Sequence, residues 1–221
     1  MIAEPLTIDI VSDVMCPWCY IGKRRLEQAL ELEPHLNVEI SWSPFQLDAT
    51  IPSEGMPRQE YLAKKFGSEE EARQIYSQIE EAGEVEGFSF AFDLIEKSPN
   101  TLNAHRLIRW SQTTGHQGAL VEKLFQLYFM EGADIGDKKT LADAAEEIGM
   151  DRDVIERLLD GDSDMTEVKD EIAHAQKIGV TGVPCFIIDQ KYAIMGAQQP
   201  ETLVQAMQQA LAEREAGDTD A

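Results

Sequence analysis

Hydrophobic positions alternate with polar ones at both ends of the chain and recur at helical spacing between those ends. Residues 6–12 are β-branched and partly alternating, which is typical of a strand. Apolar residues at helical spacing then predict a helix over residues 17–32, which Pro34 ends. The alternation returns in three further segments. The remaining predicted strands cover residues 37–42, 183–188 and 192–195.

The middle of the chain has helical periodicity almost throughout. Residues 119–130 are nearly all apolar, so we expect a buried helix there. Asn100 can cap the helix that follows it, and Gly83 is expected to end an earlier one. The other predicted helices cover residues 69–82, 100–111, 139–148, 152–159, 166–178 and, after Pro200, 200–212.

A β–α–β start and a β–β–α finish provide the strands and helices of a thioredoxin fold, and the helical block between them is an insertion. We therefore predict an α/β, thioredoxin-like fold with a large inserted helical domain. The thioredoxin-like domain is discontinuous and covers residues 1–44 and 176–214. The inserted domain covers residues 45–175, and the acidic residues 215–221 are predicted to be a disordered tail.

The charge of the chain excludes several classes of partner. With 19 basic and 41 acidic residues among 221, the net charge is −22, which would repel nucleic acid and anionic membrane surfaces. No apolar run approaches the ~20 residues of a membrane span. The N-terminal residues 1–6 lack the basic region of an export signal, so we expect a cytoplasmic protein.

Two of the three cysteines, Cys16 and Cys19, stand just after the first strand and open the first helix. A helix N-terminus stabilises a thiolate because unpaired N–H groups and a partial positive charge are concentrated there. Pro17 falls at the first helical position, where its missing N–H costs nothing, and Trp18 offers an apolar contact to a partner. The pattern predicts a redox pair in which Cys16 attacks and Cys19 resolves the mixed disulfide.

Two alternatives to a redox pair remain open. A zinc site would need about four ligands, but there is no second Cys-x-x-Cys and the histidines are scattered, so we predict no metal. Cys185 is the one further cysteine whose sulfur could bind such a zinc ion. The cysteines could also be structural residues that happen to lie three positions apart. The histidines are His35, His105, His116 and His174.

A second candidate element is the bond between Val183 and Pro184 at the start of a late strand. A proline there marks a sheet edge, a first strand position or a cis bond. A cis bond would expose the backbone of Val183 to an extended substrate beside Cys16. An ordinary trans proline is the alternative that the residues alone leave open.

The cysteine segment, the Val183–Pro184 segment and several others along the chain resemble the DsbA family. The resemblance is closest to its FrnE-like branch, to which 2-hydroxychromene-2-carboxylate isomerases are related. The resemblance covers nearly the whole chain and implies a thioredoxin fold with a helical insertion, disulfide chemistry at Cys16 and Cys19, and a cis bond before Pro184. Two positions depart from the family: Trp18 replaces the histidine of DsbA, and Cys185 stands where an apolar or aromatic residue is usual. The segments that carry the resemblance are residues 12–22, 44–47, 100–101, 104–107, 182–184 and 195–198.

Three residues of the inserted domain are further candidates for substrate binding. His105 and Arg106 could line a cleft that faces Cys16, or could form local contacts at the surface. Asn100 is first a helix cap and second a site residue. We expect Cys185 to be buried as a small hydrophobic residue rather than to take part in redox chemistry. The substrate-contact residues proposed around the thiols are Pro17, Trp18, Val183 and Pro184.

Three function classes follow. The first is a thiol–disulfide oxidoreductase that acts on proteins or small molecules with thiols or disulfides. We expect it to have no tightly bound cofactor, and glutathione is a candidate redox partner. The second is a glutathione-dependent isomerase; the related isomerases use serine at the position of Cys16, so retention of Cys16 and Cys19 favours redox chemistry. The third is a chaperone with an apolar groove near Trp18. The oligomeric state is left as monomer or homodimer.

Overall fold

A computed structural model describes residues 4–219. Its main sheet has four strands in the order β2-β1-β5-β6. Strand β1 is parallel to β2 and antiparallel to β5, and β6 is antiparallel to β5. The chain therefore builds the sheet from its two ends, which confirms the thioredoxin-like fold class. The strands are β1 (Leu6–Ser12), β2 (Val38–Pro44), β5 (Cys185–Ile188) and β6 (Tyr192–Met195), and a separate pair is formed by β3 (Met56–Pro57) and β4 (Lys97–Ser98).

The first and last helices, α1 and α9, pack together against the sheet. Apolar residues from the second half of α1, such as Leu26, meet Met207 and its neighbours on α9 and Phe186 of the sheet. Seven helices lie between β2 and β5. The helices are α1 (Pro17–Leu32), α2 (Arg58–Phe66), α3 (Glu69–Val85), α4 (Leu102–Thr113), α5 (Gln117–Phe129), α6 (Lys138–Glu147), α7 (Arg152–Asp160), α8 (Met165–Lys177) and α9 (Pro200–Thr219).

A second core lies among these intervening helices, and the start of α1 belongs to it. Its largest aromatic residues come from α5, the helix predicted to be buried, and Phe125 stacks on Tyr20 of α1 with ring centroids 4.9 Å apart. Cys16 and Cys19 are part of the same cluster. Helix α1 thus joins the two cores, with its first turn in the helical one and its later turns against the sheet.

Several element boundaries differ from the prediction. Helix α3 continues through Gly83, where a side chain would meet the ring of Phe90 at 2.7 Å, so this glycine provides space for packing and does not end the helix. Helix α2 and the short strands β3 and β4 were not predicted. Strand β5 begins at Cys185, after the Val183–Pro184 bond.

The last helix is longer than predicted. Helix α9 continues past residue 212 as far as Thr219 and so includes part of residues 215–221; the disordered tail expected there stays a prediction. Arg214 holds this end: its Nε donates to Asp189 at 2.9 Å, and its Nη1 donates to the Pro5 carbonyl at 3.2 Å. The described residues do not include residues 1–3 or residues 220–221 of the tail. The expectation of a cytoplasmic location depends in part on residues 1–3. The proposed division into two domains stays a prediction.

Candidate active site

The cysteine pair lies where β1 gives way to α1. Cys16 is the N-cap residue of α1 with an extended backbone, and Pro17 follows in the first turn. The Cys16 N–H donates to the Asp13 carbonyl at 2.9 Å, and the Cys19 N–H donates to the Cys16 carbonyl at 3.0 Å. These two bonds fix the thiols one helical turn apart, and both thiols are free. The side chain of Cys16 does not cap the helix and turns toward another segment instead.

That segment is the loop before β5, which contains a cis peptide bond between Val183 and Pro184. The Cys16 thiol lies 3.6 Å from the Val183 carbonyl oxygen, to which it donates a weak hydrogen bond. Helix α1 packs directly on the proline: a Cβ at Gly22 would stand 2.8 Å from Pro184 Cγ. The site therefore brings together Cys16, Val183 and Pro184, which are far apart in the sequence.

The two thiols differ in their surroundings. Cys16 is 4% exposed and Cys19 is 1% exposed, whereas Trp18 between them is 37% exposed. Burial, followed by the proximity of Cys16, raises the pKa of the Cys19 thiol well above its usual value; the Ser12 hydroxyl and the Asp13 backbone act in the opposite direction. Cys19 therefore holds its proton inside the protein, while Cys16 faces the Val183 backbone.

A buried carboxylate, Asp13, stands beneath the pair and was not singled out from the sequence. Its Oδ2 accepts a hydrogen bond from the Leu47 N–H at 2.8 Å, and its Oδ1 accepts one from the Met15 N–H at 3.3 Å. His105 Nε2 lies 3.5 Å from Oδ1, so His105 reaches the site from the helical domain. An acid directly after a strand and three residues before Cys16 was the sequence signal that could have identified Asp13.

Arg106, in contrast, does not face the thiols. It is 1% exposed, and its guanidinium donates at 2.7 Å to the carbonyls of Leu158, Gly161 and Ser163 in and after α7. It also lies over the Trp110 ring. The expectation that Arg106 binds substrate, and its alternative of a surface arginine, are both corrected: the residue is a buried tie between α4 and the segment that joins α7 to α8.

Asn100 is a structural anchor at the start of α4. The N-cap residue of α4 is Thr101, so Asn100, the cap expected from the sequence, stands one residue before that position. The Asn100 Oδ1 accepts the Leu102 N–H at 3.0 Å and a hydrogen bond from Gln46 at 3.1 Å. Its Nδ2 donates to the Ile51 carbonyl at 2.7 Å. Asn100 thus fixes the loop after β2, and its hydrogen bonds go to that loop and to the start of α4 rather than to the thiols.

Helix α2, absent from the prediction, brings cations close to the site. Burial lowers the pKa of Lys65, and the nearby Cys16 and Asp13 act in the opposite direction. Arg58 is buried, with Nη2 donating to the Tyr76 hydroxyl at 2.6 Å and Nη1 to the Tyr128 hydroxyl at 3.3 Å. The sequence signal was weak because α2 is short and its residues are mostly polar. The site therefore includes positive charge that the cysteine motif does not contain.

Cys185 is fully buried beside β1, in a small cluster with Val11, Phe45, Ala175 and Val180. Burial, and then the charge of Asp9, raises the pKa of its thiol to about 11. Both observations agree with the expected role as a small hydrophobic residue.

Residues 4–219 contain no group of three or more His, Cys, Asp or Glu side chains that could hold a metal ion. In the same range, no helix has both the length and the apolar character that a membrane span requires.

The chain forms a mixed four-stranded sheet with a block of helices inserted between β2 and β5. A cysteine pair follows β1 and faces the loop that contains the cis proline. These features define the thioredoxin-fold class with an inserted helical domain. Within that class, the chain belongs to the family of the DSBA-like thioredoxin domain, whose model matches residues 7–208. The family predicted from the motifs is thereby confirmed.

Individual relatives agree with this assignment. The chain is 30% identical to a probable DsbA oxidoreductase from Streptomyces coelicolor, with a TM-score of 0.86 over 94% of this chain and 91% of that one. It is 26% identical to the uncharacterized protein YwbO of Bacillus subtilis (strain 168), over 82% of this chain and 86% of that protein. A 2-hydroxychromene-2-carboxylate isomerase is 15% identical with a TM-score of 0.68, over 96% and 98% of the two chains, which shows a shared fold alone.

Proposed function

We propose that the protein is a thiol–disulfide oxidoreductase in which Cys16 attacks and Cys19 resolves. The Cys16 thiolate attacks one sulfur of a substrate disulfide, a Cys16–substrate bond forms, and the other substrate sulfur leaves with the electron pair. Cys19 then attacks Cys16, the second substrate sulfur leaves as a thiolate, and the Cys16–Cys19 disulfide is formed. Two electrons pass from the protein to the substrate, and the reverse sequence oxidises a substrate dithiol.

The observation that carries this proposal is the unequal placement of the two thiols. A thiolate at Cys16 would lie at the N-terminus of α1, where the helix dipole favours an anion. Cys19 is buried one turn further on, and its raised pKa keeps it protonated until Cys16 has reacted. Membership of a DSBA-like family supports oxidoreductase chemistry in general.

The geometry also supports a binding mode for the substrate. The Val183 carbonyl is already directed at Cys16, so an extended segment could pair with this backbone beside the thiol. Trp18 is the exposed member of the motif and would offer its ring to an apolar side chain. Pro17 and Pro184 would shape the sides of the contact, and Cys16, being 4% exposed, favours a substrate disulfide that can enter a narrow opening.

The wider setting is proposed on the same basis. The substrates would be proteins or small molecules with thiols or disulfides, in the cytoplasm, and glutathione would serve as a redox partner rather than as a resident cofactor. A net charge of −22 makes nucleic acid an unfavourable partner. The fold shared with the isomerase does not by itself favour isomerisation, since both cysteines are present here.

Trapping of a mixed disulfide tests the roles of the two cysteines. Cys19→Ser should leave the attack by Cys16 intact and remove the resolving thiol, so the variant should accumulate a long-lived mixed disulfide with oxidised glutathione or insulin. Non-reducing electrophoresis and mass spectrometry measure the adduct. Cys16→Ser is the matched control and should form none, because the buried Cys19 is not reached.

The opposite pattern, with the adduct on Cys16→Ser alone, would reverse the two roles. No adduct on either variant would reject disulfide exchange, and turnover of an isomerase substrate by Cys16→Ser would move the glutathione-dependent alternative forward. Unchanged suppression of aggregation by Cys16→Ser, without any exchange activity in the unaltered protein, would favour a chaperone.

A further inference from the structure

Two buried polar atoms next to the cysteine pair have no hydrogen-bond partner among the described residues: Ser12 Oγ and His105 Nε2. Both residues are nearly inaccessible, with Ser12 at 4% and His105 at 3% exposure. Buried polar side-chain atoms in folded proteins are nearly always paired with protein or with ordered water, because an unpaired one costs free energy. These two atoms therefore call for a shared explanation.

The two residues line the same small cavity. The volume of this cavity that the centre of a water molecule can occupy is about 10 Å³. One buried water needs about this much. The other walls are mainly apolar, so the polar lining consists chiefly of Ser12 and His105; Ser43 also lines the cavity, but its hydroxyl donates to Asp9 at 2.9 Å. A single water in this cavity would satisfy both unpaired atoms at once.

The cavity adjoins a polar cleft of about 160 Å³ that opens on the side of the sheet. His105 lines both spaces, as do Trp42, Ser43 and Ile108. His105 therefore stands between the buried cavity and solvent. The charged residues that line the cleft are Asp9, Arg109 and Glu171.

The other end of the path is the resolving thiol. The Ser12 hydroxyl forms no hydrogen bond in this arrangement, yet it is near enough to Cys19 to favour the thiolate and to oppose the rise in that thiol's pKa. Burial works against that thiolate, so Cys19 cannot lose its proton to bulk water from where it stands. A thiol that must become a nucleophile while buried needs a route for its proton.

We propose that Ser12 and His105, joined by one water in the cavity that they share, carry the proton of Cys19 toward the cleft during the resolving step. This relay rests on the proposed function and assigns a proton-transfer role to residues outside the cysteine motif. As Cys19 Sγ bonds to Cys16 Sγ, the substrate sulfur leaves with the electron pair of its broken bond. The Cys19 proton passes to the Ser12 oxygen, the Ser12 proton passes to the water, and a water proton passes to His105 Nε2.

Asp13 completes the arrangement. Its Oδ1 lies 3.5 Å from His105 Nε2, so the imidazolium that forms is stabilised by a carboxylate within ion-pair distance. The proton then leaves through the cleft that His105 also lines. Asp13 is held in place by the Leu47 and Met15 N–H groups, and it needs no movement to serve this purpose.

A stopped-flow reaction with the chromogenic disulfide 5,5′-dithiobis(2-nitrobenzoate) separates the two steps. The first release of thionitrobenzoate reports attack by Cys16, and the second reports resolution by Cys19. His105→Gln should slow the second release about 100-fold, the low end of what a positioned general base contributes, and leave the first unchanged. Ser12→Ala should also slow the second release alone, and His174→Gln, at an exposed histidine, should change neither.

The combination of the two variants gives the sharpest check. If both residues serve one path, the double variant should be no slower in the second release than the slower single variant. Unchanged second release in both single variants would overturn the relay. Equal slowing of both releases would also overturn it, since that indicates a general disturbance of the site. Absence of a second release in the unaltered protein would instead reject the proposed function.

Discussion

At the scale of the single residue, the chemistry depends on unequal surroundings for cysteines that lie close together. Cys16 occupies the N-cap position of α1 and its thiol faces the Val183 carbonyl, while Cys19 is enclosed by the same helix and by the end of β1. Cys185 is enclosed without any neighbouring thiol in its cluster. Exposure and neighbours, rather than the identity of the residue, separate an attacking, a resolving and a structural cysteine.

Cys185 gives a prediction for stability against pH. Its thiol has a pKa of about 11 in the folded protein, against an ordinary value of 9.0. Between these values the folded protein holds a proton that the unfolded chain has lost, so the free energy of unfolding falls as the pH rises through this window. From pH 8 to pH 10 this contribution should fall by about 1 kcal/mol.

The measurement is urea unfolding of the protein and of Cys185→Ala, with a reducing agent, at both pH values. The substitution costs stability at pH 8 through lost packing, and that cost should shrink by about 1 kcal/mol at pH 10 because the alanine cannot titrate. A cost that is the same at both pH values would contradict a thiol with a raised pKa.

Local signals were enough to identify the residues whose role depends on their position along the chain. Cys16, Pro17 and Cys19 follow a strand and open a helix, so their roles could be inferred from neighbours in sequence. The partners of Asp13 could not be inferred in this way, because the Leu47 N–H and His105 meet its carboxyl group only in the folded protein. Arg106 was misread for the same reason: its three carbonyl partners lie more than fifty residues away.

At the scale of the element, α4 is fixed by polar residues at its start and near its middle. Asn100 joins its start to the loop after β2, and Arg106 joins its middle to the segment between α7 and α8. These ties hold His105, which lies on the same helix, at the distance from Asp13 that the relay requires. The helix therefore acts as a support for the site.

Replacement of Arg106 tests this role. Arg106→Met keeps an apolar stem but removes the guanidinium that lies over the Trp110 ring and leaves the carbonyls of Leu158, Gly161 and Ser163 without their donor. The substitution should lower the free energy of unfolding by about 3 kcal/mol or more. The rate of Cys16 attack should stay unchanged in the folded protein, because the guanidinium does not face the thiols. Urea unfolding and the first phase of the stopped-flow reaction measure the two effects.

Arg109→Met is the matched control on the same helix. Arg109 is partly exposed and pairs with Asp164 and Glu171 near the surface, so its loss should cost no more than about 1 kcal/mol. Equal costs for the two variants would contradict the structural role of Arg106. A specific loss of Cys16 attack in Arg106→Met would restore the idea of substrate binding.

Long periodic elements were predictable, whereas short ones were not. Helix α5 carries enough apolar residues to be predicted, and β1 is β-branched and partly alternating. Helix α2 has nine mostly polar residues, and its packing on α3, β3 and β4 stabilises it more than its own sequence does. Gly83 was predicted to end α3, because glycine often ends helices. The helix instead continues through Gly83, whose small size leaves room for the ring of Phe90.

At the scale of the whole molecule, the cysteine pair lies at the junction of two cores. The first turn of α1 packs among the inserted helices and the later turns pack on the sheet with α9. The loop of Val183 and Pro184 comes from the second half of the thioredoxin-like part, while His105 comes from the insertion. No single segment holds the site, which explains why its full composition could not be read from a linear pattern.

The central claim is that Cys16 and Cys19 form a reversible redox pair. The most direct test is equilibration of the protein in glutathione buffers of graded potential, followed by alkylation, digestion and mass spectrometry. We expect a Cys16–Cys19 disulfide with one midpoint and a Cys185 thiol that stays reduced; a midpoint near ~−270 mV would indicate a reductant and one near ~−120 mV an oxidant. A Cys16–Cys19 disulfide that forms at no potential, while the protein remains folded, would contradict the account.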